Sequence, residues 1–115
     1  MRISERDLQR TVLDMCAVYG LRVAHFRPAR TDYGWRTPVE ADGAGFPDLV
    51  IAGPGGVLFR ELKSDRGRLS PDQRMWQTVL ADAGADVGVW TPAELADGTI
   101  AAALRRLAAV EVTHG

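Results

Sequence analysis

The sequence predicts an α/β fold, and three observations predict it. Segments near 4–20, 70–84 and 99–110 carry apolar residues at helical spacing, the first two between a capping residue and a glycine stop. Two continuous apolar runs, Leu49-Val50-Ile51 and Val57-Leu58-Phe59, flank Gly53-Pro54-Gly55-Gly56 and read as paired strands with both faces covered. Two shorter strand-like segments, 21–26 and 86–90, each follow a helix. The resulting order is α-β-β-β-α-β-α.

Ser4 caps the first helix, with Asp7 three residues on as a shorter counterpart of the usual Glu or Gln. Leu8, Val12, Met15, Cys16 and Tyr19 form its apolar stripe, and Gly20 ends it. Leu21–Phe26 then reads as a strand. Residues 28–46 are rich in Pro, Gly, Thr and Asp without periodicity, and read as one long loop. The next strands are Asp48–Ala52 and Val57–Lys63, followed by a polar loop, Ser64–Leu69. Ser70-Pro71-Asp72-Gln73 is a helix start with a complete capping box and proline at the first helical position. Met75, Trp76, Val79, Leu80 and Ala83 are its expected buried face, and Gly84 its stop. Asp86–Trp90 is the last strand. Thr99–Val110 is a terminal helix with Ile100, Leu104 and Leu107 turned inward.

The composition is that of a soluble globular protein: 115 residues, 46% hydrophobic and 25% charged. A single domain over 1–115 is expected, with its core near 4–92. No apolar run approaches the roughly 18 residues of a membrane span. The start, Met1-Arg2-Ile3-Ser4-Glu5, lacks a signal-peptide core. A cytoplasmic protein without membrane partners is expected. Cys16 is the only cysteine, which excludes an intrachain disulfide and a cysteine-based metal site. Net charge is −1 and does not advertise a nucleic-acid binder, yet residues 22–36 and 60–74 are locally basic.

Thirteen arginines accompany one lysine, Lys63. An ammonium loses its proton far more readily than a guanidinium, so Lys63 is a candidate for work that Arg cannot do. A symmetric turn centred on Pro54-Gly55 sets Asp48 opposite Glu61, and strand alternation puts Lys63 on the same face as Glu61. Directly opposed like charges destabilise a sheet unless a cation sits between them or one carboxyl stays protonated. Two such carboxylates suit Mg²⁺ or Mn²⁺, with the Leu62 carbonyl as a further oxygen ligand. Lys63 would then orient or deprotonate the attacking water.

At these residues the chain resembles the PD-(D/E)XK nuclease superfamily. The likeness runs through Gly45-Phe46-Pro47-Asp48-Leu49, Phe59-Arg60-Glu61-Leu62-Lys63 and Gly67-Arg68-Leu69-Ser70-Pro71-Asp72-Gln73, with Trp76 following. The last stretch is most similar to the VRR-NUC branch, which includes small stand-alone phage and bacterial proteins. The resemblance covers roughly residues 4–92. It implies a restriction-endonuclease-like core, α-β-β-β-α-β, with a central mixed sheet flanked by helices. It assigns Asp48 and Glu61 to a metal ion, Lys63 to the water and Gln73 to the shell beside them. Gln73 is equally half of a capping box, and both roles are compatible. Glu5 shares the apolar stripe of the first helix; it is either a frayed-end acid favoured by the helix dipole or an additional residue near the metal.

The expected activity is a divalent-metal-dependent DNA endonuclease acting on structured or branched DNA. Arg27, Arg30, Arg36, Arg66 and Arg68 are candidates for backbone contacts, or else solvated surface charge. His25 is either a phosphate contact or a structural histidine. Tyr33 and Trp35 either stack on unpaired bases or anchor the loop. One site cuts one strand, so symmetric cleavage of a junction requires a homodimer. The competing readings are a non-catalytic nucleic-acid- or protein-binding module on the same fold, and a structural subunit of a larger complex.

Overall fold

The computed structural model describes residues 3–26, 29–31, 34–36 and 40–110, with side chains described at 3–26 and 40–110. Helix α1, Glu5–Val18, starts where Ser4 Oγ accepts the Asp7 N–H at 3.0 Å. After α1, Gly20 takes the left-handed φ of +70° and turns the chain into strand β1, Arg22–His25. Strands β2, Ala29–Thr31, and β3, Gly34–Arg36, pair as a separate antiparallel hairpin. The main sheet continues with β4, Leu49–Gly53, β5, Gly56–Leu62, and β6, Asp86–Trp90. Its order is β1-β4-β5-β6, mixed, with only the β5–β6 pair parallel. A parallel neighbour needs a crossover, which α2, Pro71–Asp82, supplies.

Leu49 pairs with Arg60, Val50 with Phe59, and Gly53 with Gly56 about the Pro54-Gly55 turn, the register the symmetric turn predicts. The turn is pinned from outside. Gly55 N–H donates to Leu107 O at 2.8 Å, and a Cβ on Gly55 would lie 2.5 Å from Arg106 O. No other residue type lets the terminal helix approach so closely without displacement.

One face of the sheet carries the core. Leu49, Ile51, Leu58, Leu62 and Trp90 meet Leu8, Val12 and Cys16 of α1. Helices α3, Pro92–Ala96, and α4, Thr99–Ala108, close this layer through Leu95, Ile100, Leu104 and Leu107. Each fully buried leucine or isoleucine contributes about 1.5–3 kcal/mol. Arg60 belongs to the same face. It lies over the Trp90 ring at 5.0 Å and pairs with Asp86 at 2.7 Å, which binds both the charge and the stem of a buried guanidinium.

Three expectations need correction. The stretch 28–46 is not one loop, because it contains the β2–β3 hairpin; strands of three residues are too short to show a period. Helix α3 is an additional element, announced by a capping box, Thr91 with Glu94, of the kind that starts α2. The largest correction concerns α2. None of its residues is buried, and Met75 and Val79 are 63% and 49% exposed. The half-buried positions are Gln73, Trp76, Gln77 and Leu80, a stripe at i, i+3, i+4 and i+7. The helix is rotated so that two glutamines face the sheet, because what it covers there is polar.

Candidate active site

The polar feature beneath α2 is the end of the β4–β5 hairpin. One step beyond the Leu49–Arg60 pair, Asp48 stands opposite Glu61, on the face away from the core. Asp48 sits at the bend leading into β4. Its backbone carbonyl accepts the Phe26 N–H at 3.0 Å, and its Oδ2 accepts the Leu62 N–H at 3.0 Å. Pro47, fully buried, precedes it.

Glu61 is 2% exposed. Its Oε1 accepts Gln73 Nε2 at 2.9 Å and lies 3.8 Å from Lys63 Nζ. Its Oε2 is buried without a hydrogen-bond partner among the described residues. Burial, then the Asp48 carboxylate beside it, push the Glu61 pKa up to about 8. A buried carboxylate with an orphaned oxygen next to a second carboxylate is costly unless a proton or a cation joins it.

Lys63 continues β5, and its N–H donates to Trp90 O at 3.0 Å. The Ser64–Gly67 turn folds over its stem, so that a Cβ on Gly67 would lie 3.1 Å from Lys63 Cδ. The side chain is left 16% exposed, its ammonium held toward Glu61. Gln73 makes two contacts at once. Its Oε1 accepts the Ser70 N–H at 2.8 Å in the capping box, while its Nε2 holds Glu61.

Glu5 is exposed at the start of α1, yet its charge is felt at the site. Desolvation raises its pKa; Lys63 acts against the rise and Asp48 adds to it. Among the described residues no group of three or more His, Cys, Asp or Glu side chains is gathered tightly enough to hold a metal ion. The carboxylates of Asp48 and Glu61 are the oxygen donors that meet there. Their hardness and the orphaned Glu61 Oε2 suit a divalent cation that keeps several waters.

His25 ends β1, and its Nδ1 lies 3.3 Å from Gln9 Nε2 of α1. Arg66 and Arg68 are exposed on the loop after Lys63. Arg27 and Tyr33 lie outside the described residues, as do the side chains of Arg30, Trp35 and Arg36. One group was not foreseen. Phe46 meets Phe26, Phe59 and Trp76 edge to face, at 5.6, 6.1 and 5.0 Å between centroids. Phe46 and Phe59 lie within motif segments and Trp76 follows one, which was the available signal; Phe26 lies outside them.

The family model of the VRR-NUC domain matches residues 36–93, half of the chain, and spans Asp48, Glu61, Lys63 and Gln73. The chain belongs to the VRR-NUC domain family. A solved structure described as a VRR_NUC domain protein matches this VRR-NUC chain with a TM-score of 0.61 and 22% identity, covering 96% of this chain and 93% of the other. At that identity the match bears on the fold alone. No curated protein matches the chain. The family is one of nuclease-type domains. No helix of the described residues is long and apolar enough to cross a membrane.

Proposed function

We propose that this VRR-NUC chain is a divalent-metal-dependent DNA endonuclease that acts on structured or branched DNA. The observation that carries the reading is the buried Glu61 carboxylate, opposite Asp48, with one oxygen unpartnered and Lys63 at 3.8 Å from the other. Asp48, Glu61 and the Leu62 carbonyl would hold Mg²⁺ or Mn²⁺. The ion supplies Lewis acidity toward a phosphoryl oxygen and a lowered pKa for bound water.

The chain's own residues do the rest. Gln73 fixes the Glu61 rotamer through Nε2, leaving Oε2 directed at the ligand. Lys63, shielded by the Ser64–Gly67 turn, orients the attacking water or, as the neutral amine, takes its proton, and in its ammonium form balances charge on the phosphorane-like transition state. Arg66 and Arg68, exposed beside Lys63, engage backbone phosphates and leave the bases unread. Arg27, Arg30 and Arg36 would extend that contact. Glu5 borders the metal's water shell.

The test is cleavage of junction, flap and single-stranded DNA with Mg²⁺ and Mn²⁺ by the wild type, Asp48→Asn and Lys63→Ala. Both variants should keep the fold and metal-free DNA binding while losing cutting. Full activity in either would overturn the assignment. DNA binding by the wild type without cutting on any substrate would leave a binding module.

A further inference from the structure

We propose that Trp76 is a positioning residue for Asp48, so that α2 sets the spacing of both carboxylates; this rests on the nuclease reading above. Gln73 and Trp76 are one turn apart on the inner stripe of α2. Gln73 holds Glu61 directly. Trp76 reaches the opposite strand indirectly: its Nε1–H is shared between Asp42 O at 3.0 Å and Ala44 O at 3.1 Å. Its ring also meets Phe46 at 5.0 Å, two residues before Asp48.

Two turn hydrogen bonds shape the segment from within, Gly43 N–H to Glu40 O and Phe46 N–H to Gly43 O, each 3.1 Å, but its conformation is strained and its seat is α2. Ala41 has a left-handed φ of +55°, which costs a non-glycine residue about 1 kcal/mol. Gly45, at φ +83°, lies so close to α2 that a Cβ there would be 2.6 Å from the Asp72 backbone carbon and 2.7 Å from Gln73 N. Residues 42–46 are thus seated on the first two turns of α2, and Phe46 and Pro47 carry that placement into Asp48. One rigid helix touches Glu61 through one side chain and the approach to Asp48 through the other. A site whose ligands must sit within a fraction of an ångström gains from such a common brace.

Trp76→Phe tests the idea, because it keeps an aromatic ring against Phe46 while removing the shared N–H donor and part of the indole's bulk. Two measurements read the result. The Leu62 amide donates to Asp48 Oδ2, so its hydrogen exchange reports where Asp48 stands without any metal. Calorimetric Mn²⁺ binding reports the carboxylate pair. Exchange at Leu62 should quicken while that of Leu104 in α4 stays the same. Mn²⁺ affinity should fall about five- to tenfold, the scale of one lost hydrogen bond. Metal-free DNA affinity should be unchanged, and the cleavage rate should recover at saturating Mn²⁺, a split that a general loss of structure would not give. Gly45→Ala, which pushes the same loop off α2, should reproduce the pattern and decides the matter if Trp76→Phe does not fold. Met75→Ala, exposed on the same helix, should change none of these. Native Leu62 exchange in both test variants overturns the proposal. A wild type that binds no Mn²⁺ sinks the nuclease reading instead, and Leu62 exchange still decides the role of Trp76.

Discussion

Lys63 and Glu61 carry the sharpest expectations. If Lys63 handles a proton, Lys63→Arg should lose nearly as much cleavage as Lys63→Ala, about 10²- to 10⁴-fold, the usual worth of general acid–base catalysis. A fully active Lys63→Arg enzyme in a single-turnover assay would reduce the lysine to a counter-charge. Glu61 gives a stability test in the metal-free protein. Its folded pKa lies well above the ordinary carboxylate value, so the folded state binds the proton more tightly than the unfolded chain. The Glu61 contribution to stability is then full below about 4.5 and is lost as pH rises toward 8. Denaturant melts in EDTA across this range should show the fall in the wild type and lose it in Glu61→Gln. A stability that instead rose with pH would place the Glu61 charge in a favourable environment.

At the scale of elements, α2 has two duties that two variants separate. Ser70→Ala removes the Oγ acceptor of the Gln73 N–H and costs about 1 kcal/mol, with cleavage retained. Gln73→Ala forfeits the other half of the box and also the hold on Glu61, so it should match that stability loss and lower the cleavage rate as well. Thermal melts beside a cleavage assay check the pair; equal activity in both would confine Gln73 to capping. What the sequence disclosed about these elements divides along physical lines. The hairpin register was legible because glycines on both sides of Pro54-Gly55 leave one compact turn, and that turn fixes every pairing up to Asp48. The start of α2 was legible because capping is local chemistry. Its rotation was not, since apolarity favours Met75 and Val79 while the inward stripe begins with Gln73. The tie from Trp76 to Asp42 and Ala44 was equally hidden, because a backbone carbonyl leaves no mark on residue choice.

Over the whole molecule, the modest net charge of −1 leaves DNA affinity to local basic segments. Arg66 and Arg68 are exposed next to the candidate centre. Replacing either with alanine should weaken binding to all DNA structures alike and lower the slope of log affinity against log salt by about 1. Fluorescence anisotropy at several salt concentrations checks this; an unchanged slope would remove that arginine from the DNA path. The core face contributes differently. Arg60 faces away from Glu61, joins Asp86 at 2.7 Å, and Asp86 also meets Arg106 of α4 at 3.4 Å. Alternate residues of β5 thus serve the scaffold and the site in turn.

Asp48, Glu61, Lys63 and Gln73 all fall within residues 48–73, joined by one tight turn and one short loop. Bringing them together closes only short stretches of chain, which is entropically cheap and fast. Two backbone ties reach further along the chain, Phe26 N–H to Asp48 O and Lys63 N–H to Trp90 O, each 3.0 Å, and they fasten this local assembly to the ends of β1 and β6. With so little chain to close, the four side chains reach their register early, and the longer-range ties need only fix in place what is already assembled.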